Sequence, residues 1–187
     1  MRIRYDVKNY AIDKIATMDL CVLAGTIFDP GGTEDHSINL MITQNFPAMI
    51  GNTIVNKQYD DPGFDERAIG VHYINDDPNN IVVVASRRDL TGPIPETNIE
   101  ILRTDGSGSL QPSFLVRDPN GNNDMHPMGT LAIGNDLYIC GYMTAAGIAV
   151  PDYRTTKQVF VVKVDLGSNT VAGCNTWDYN YSGLEYD

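Results

Sequence analysis

The sequence predicts an all-β fold, a β-propeller-like array of three four-stranded antiparallel blades with one more outer strand at the N-terminus. Three observations predict it. Apolar runs of strand length pair around polar loops three times over, as "CVLAGTIFD…SINLMITQN", "IVVVASRRD…NIEILRTDG" and "DLYICGYMTA…QVFVVKVDLGSN". Matching positions return at a near-constant interval. Gly25, Ser86 and Gly141 lie 61 and 55 apart, Gln44, Asp105 and Asp165 lie 61 and 60 apart, and Asp61, Asp118 and Asp178 lie 57 and 60 apart. Finally, no stretch carries a 3.6-residue apolar period, so helix is expected to be minimal.

In chain order, "RIRYDV" at 2–7 reads as the close of an outer strand, by comparison with "FLVRDP" at 114–119. The first unit then reads as "DKIATMD", "CVLAGTIFD", "SINLMITQN" and "NTIVNKQYDD". The second is "AIGVHYIN", "IVVVASRRD", "NIEILRTD" and "SLQPSFLVRD", and the third is "MGTLAIGN", "DLYICGYMT", "QVFVVKVDL" and "TVAGCNTWDY". The second strand of each set is the most continuously apolar, as a strand buried on both faces should be. The third and fourth alternate more, with Arg103, Arg117 and Lys163 expected to point outward. "DGSG" at 105–108 and "DLGSN" at 165–169 are tight-turn signals between strands. The blades span approximately 13–61, 68–118 and 128–179 of a single domain. A β-sandwich is the rival arrangement, since it also strings short strands at even spacing, but it does not require strands to recur in fours.

Composition narrows the function classes. The net charge is -11, from 13 basic and 24 acidic residues, which repels phosphate backbones and anionic lipid surfaces. Nineteen of the acids are Asp, a turn former, so the charge is expected in loops. No apolar run approaches the roughly 20 residues a helix needs to cross a bilayer, and "MRIRYDVKNY" lacks the apolar core of a signal peptide. The expectation is no nucleic-acid binding and no membrane insertion, in a protein that either stays in the cell or is read here without its native leader. The cysteines Cys21, Cys140 and Cys174 have no metal-ligand spacing. A Cys140–Cys174 disulfide is open to an exported chain.

The stretch 136–169 resembles the β-propeller repeat of secreted bacterial proteins. Tyr138, Gly141, Thr144, Phe160, Val161, Lys163 and Asp165 occupy the matching positions of its G-x-x-Y-x-x-G-x-T-like and D-x-F-V-x-K-x-D-x-x-G-like strands. The second unit keeps "ILRTDGSG" and the first has lost the terminal Asp and Gly. The resemblance implies a propeller fold and an extracellular or cell-surface origin, and carries no catalytic residues with it.

Candidate sites are few. "DPNGNND" spaces Asp118, Asn120, Asn122 and Asp124 at alternate positions, as calcium loops do, yet Asn123 and Gly129 stand where an EF-hand needs Gly and Glu. Turn chemistry explains the same residues. Calcium is the one cofactor the sequence raises. His36, His72 and His126 are too dispersed for a metal site, and His126 reads as a loop residue. Trp177, Tyr179 and Tyr181 alternate, which on one strand face would suit a sugar or a neighbouring blade. The loops "PGGTEDH", "LTGPIPET" and "AAGIAVPDYRTTK" share one rim and vary in length, the usual setting for binding.

Three blades do not close a ring, so self-association, or further blades of a longer chain, is expected. The functional expectation is a non-enzymatic, exported module for binding, adhesion or assembly at a bacterial surface, with a glycan or protein ligand. The competing class is a carbohydrate-active enzyme with acids such as Asp118 and Asp124 on the channel face.

Overall fold

A computed structural model describes residues 6–15, 17–28, 36–44, 53–118, 121, 123–145 and 156–178. These form twelve strands: β1 (Asp6–Ile15), β2 (Leu20–Phe28), β3 (His36–Gln44), β4 (Thr53–Tyr59), β5 (Phe64–Tyr73), β6 (Ile81–Asp89), β7 (Thr97–Thr104), β8 (Leu110–Val116), β9 (Asn123–Ile133), β10 (Asp136–Ala145), β11 (Thr156–Asp165) and β12 (Thr170–Asp178). They group in sequence order into three four-stranded sheets, β1–β4, β5–β8 and β9–β12, each an antiparallel meander. The one helical segment among the described residues is the 3-10 turn Ile74–Asp76.

Side-chain alternation explains how the sheets stack. β6 opens with five consecutive residues, Ile81 to Ala85, that are fully buried. Ile81, Val83 and Ala85 join Val22, Ala24 and Leu40 of the first sheet in one apolar cluster. Val82 and Val84 turn the other way and join Ile139, Phe160 and Val162 of the third. The middle sheet is therefore covered on both faces, which is why its central strand reads as an unbroken apolar run. Between sheets, β5 lies against β1, β2 and β3, and β9 lies against β5, β6 and β7.

Polar side chains pin these contacts. Thr26 Oγ1 accepts from the Ala68 amide at 3.1 Å, and Asp13 Oδ2 accepts from the Tyr73 amide at 2.7 Å. Asp124 Oδ1 accepts from the Thr97 amide at 3.0 Å. Arg103, expected to point outward, instead reaches the third sheet, donating to the Leu166 carbonyl at 3.0 Å and to Asn169 Oδ1 at 2.9 Å. The two tight turns share one device. Asp105 Oδ1 accepts from Ser107 and Ser109 amides, and Asp165 Oδ1 accepts from the Gly167 amide. Serine hydroxyls complete both turns and hold the two carboxyls below the usual carboxylate range.

The first strand of every sheet departs from expectation. β1 covers Asp6–Ile15, and the expected strand at 13–19 is its last three residues plus the turn at Thr17–Asp19, where Asp19 has φ 52. Asp6 and Val7, expected in a separate outer strand, open β1; residues 2–5 of that strand lie outside the described residues. β5 and β9 likewise start four and five residues before the expected 68 and 128. The added residues, such as Asp65–Glu66–Arg67 and Asn123–Asp124, are polar and mask the strand. The repeat also needs one adjustment. Gly141 faces the second sheet, and Gly25 lies on the corresponding face of the first; Ser86 lies on the opposite face of β6, so the matching small residue is Ala85.

Candidate functional site

Three places hold the residues that could carry function. The first is the acidic turn between β8 and β9. Asp118 and Asp124 are both buried, at 7% and 1% exposure. Asp118 Oδ2 accepts from Asn123 Nδ2 at 2.8 Å, its carbonyl accepts from the Gly121 amide, and Asp124 is held on Thr97. Their oxygens thus close the turn and tie β9 to the start of β7. Asn120 and Asn122 lie outside the described residues.

The second is a buried ionic cluster that the sequence reading missed. Glu66, Arg87 and Glu100 lie on the face of the second sheet turned toward the first, with β6 carrying Arg87 between the two acids. Arg87 Nε is 3.6 Å from Glu66 and 3.9 Å from Glu100, and its other arm pairs with Asp61. The guanidinium also stacks 3.5 Å above the Phe64 ring. Burial pushes the Glu66 carboxyl up to about 9, with the charge and hydrogen bond of Glu100 adding to the rise and Arg87 opposing it. Glu100 is raised too, first by burial. One cation cannot neutralise two buried carboxylates, so the pair keeps a proton through neutral pH. A cavity of about 30 Å³ lies beside it, lined by Phe64, Arg87, Asn98, Leu115 and Arg117. That is room for water rather than for a sugar. Of its members only Glu100, set between Ile99 and Ile101, stands out in the sequence as a charge inside an apolar strand.

The third is the outer face of the third sheet, where register sets side chains in rows. His126, Tyr142, Val159 and Trp177 form one row, and Leu131, Tyr138 and Lys163 another. Between them lie Gly129, Cys140, Val161 and Asn175. His126 stacks on Tyr142 at 4.9 Å and bonds Thr144 Oγ1 at 3.0 Å, so it belongs to a strand and not to a loop. Lys163 pairs with Asp136 at 2.7 Å over the Tyr138 ring. Trp177 is half exposed, and Tyr179 and Tyr181 lie outside the described residues. His36 and His72 sit elsewhere, against Asp65 and Thr130 respectively. Among the described residues no three His, Cys, Asp or Glu side chains converge as metal ligands.

Cys21, Cys140 and Cys174 are free thiols. Cys140 lies opposite Val161 and Cys174 opposite Val162, so the two point to opposite faces with β11 between them. Strands two apart are separated by roughly 9–10 Å, beyond the reach of a disulfide. A thiol reagent should therefore titrate Cys140 and Cys174 in the native protein. Cys21, fully buried and with its pKa raised by that burial, should react only after denaturation. A single reactive thiol under native conditions would contradict this placement.

Of the connections between the second and third strands of each sheet, the one between β6 and β7 lies wholly within the described residues. It exposes Leu90 and Ile94, the latter at 64%. Comparison with protein-family models, curated proteins and solved structures finds no match.

Proposed function

We propose that this chain is a non-enzymatic binding and assembly module of β-propeller type, acting at a bacterial surface. The observation that carries the reading is the stacking order: three meanders follow one another in sequence, and the first strands of the second and third, β5 and β9, each lie against the preceding sheet. In such an array the connections β2–β3, β6–β7 and β10–β11 leave the same end of each sheet and form one rim. The exposed apolar pair Leu90 and Ile94 on that rim supports binding through it. The burial and backbone bonding of Asp118 and Asp124 favour a structural role for those acids over glycoside chemistry, which needs carboxyls open to substrate.

The test is a surface-glycan and surface-protein array probed with wild type and with the Leu90→Ser/Ile94→Ser double variant. Retained ligand in the wild type, lost in the variant and with no product released, is the expected result. Hydrolysis of any array glycan by the wild type would replace the binding reading with the enzymatic one.

A further inference from the structure

The ionic cluster of the second sheet is built in cross-strand rows. Glu66, Arg87 and Asn98 stand opposite one another in one row, and Glu100 and Leu115 stand opposite one another in the next. Two residues beyond Arg87, the Asp89 amide donates to the Glu96 carbonyl at 2.9 Å and closes the base of the β6–β7 connection. Three atoms of these rows are buried and make no hydrogen bond among the described residues: Arg87 Nε, Asn98 Oδ1 and Glu100 Oε2. Asn98 and Glu100 are 6% and 7% exposed, so bulk solvent does not serve them. A buried polar atom left in that state costs at least as much as a lost hydrogen bond.

The distances leave room for one bridging oxygen. Arg87 Nε lies 3.9 Å from Glu100 Oε2, too far for a direct hydrogen bond. Atoms at that separation can each lie about 2.8 Å from a single oxygen between them, the usual arrangement of a bridging water. The cavity of about 30 Å³ lined by Arg87 and Asn98 has the volume of one water in the liquid. Chemistry selects among small occupants. Arg87 Nε–H donates, whereas Asn98 Oδ1 and Glu100 Oε2 accept. A metal or ammonium cation cannot accept from the guanidinium, and a halide cannot donate to the two oxygens. Water accepts once and donates twice here, the three bonds typical of a buried water.

We propose that this cavity is a binding site for one ordered water, held by Arg87 Nε, Asn98 Oδ1 and Glu100 Oε2, which cross-links β6 to β7 at the base of the connection carrying Leu90 and Ile94. The water gives each of the three atoms its partner. It also fixes the guanidinium in the orientation that stacks over Phe64 and pairs with Asp61. The site is independent of what, if anything, the rim binds.

The experiment combines diffraction with solution NMR on the whole chain. Crystals of the wild type at neutral pH should show one solvent peak within about 2.6–3.2 Å of all three atoms. In solution, the Arg87 Nε–H proton should give a cross-peak to a long-lived water. Asn98→Leu removes one acceptor and fills the space, so that cross-peak should vanish while the backbone amide spectrum keeps the dispersion of the folded chain. Arg87 Nε bonded directly to Glu66 or Glu100, with no peak between them, overturns the proposal. A peak with the scattering of a metal ion or a halide overturns it too. The wild-type cross-peak decides the matter even if Asn98→Leu fails to fold: its absence means that no water stays at the site. A cross-peak that survives in folded Asn98→Leu places the water elsewhere and equally refutes the site.

Discussion

Phe160→Ala should lower the unfolding free energy by about 3–5 kcal/mol, the usual cost of removing a fully buried aromatic ring from a core. Phe160 is the largest fully buried side chain among the described residues, at 1% exposure, and belongs to the cluster joining the second and third sheets. Its ring edge fits over Gly141, where a Cβ would meet Phe160 Cζ at 2.8 Å and run into the His126 carbonyl. No neighbour can swing into the vacated space without moving β9 or β10, so the cavity should stay open. Urea unfolding of the two proteins measures the difference. The transition should also lose cooperativity, since the third sheet is attached to the rest mainly through this cluster. A loss below about 1 kcal/mol, the range of tolerated core swaps, would mean that the sheets do not depend on this contact.

Glu66→Gln should remove a pH dependence of stability between pH 7 and 9. The Glu66 carboxyl is raised to about 9 in the folded chain, first by burial and then by Glu100. The folded state therefore binds more protons than the unfolded state above the ordinary glutamate pKa. The stability this group contributes is fully present below that pKa and is lost as pH rises through the folded value, at up to about 1.4 kcal/mol per pH unit for one proton. The two histidines with lowered pKa values, His72 and His126, act at lower pH and leave this window clear. The amide of Gln keeps the shape and sheds the charge, leaving Arg87 to neutralise Glu100 alone. Wild-type stability should thus fall from pH 7 to pH 9 while the variant stays level. Parallel curves would show that the pair is ionised in the fold.

The predicted array of four-strand sets and the observed sheets agree because each β6-like strand advertises its burial. A run such as Ile81–Ala85 cannot sit on a half-wet surface, and the Asp77–Asn80 turn before it and Asp89 after it mark where the strand must stop. The first strands were harder to read. β5 opens with Asp65–Glu66–Arg67, where local polarity says loop, yet Asp65 and Glu66 are buried by the neighbouring sheet. His126 was misplaced for the same reason, beside a proline and an acidic turn but inside β9. The ionic cluster was invisible for a different reason: Glu66, Arg87 and Glu100 are far apart in sequence and meet through cross-strand register.

Sequence alone determined the strand content, the grouping by fours and the turn positions, because alternation and turn chemistry act over a few neighbouring residues. Only the tertiary structure decided which face of each strand is covered, that Arg103 bridges two sheets, that Cys140 and Cys174 point apart, and that two glutamates hold one proton. Those outcomes depend on how sheets stack, and a shift of one residue in register reverses every side chain of a strand.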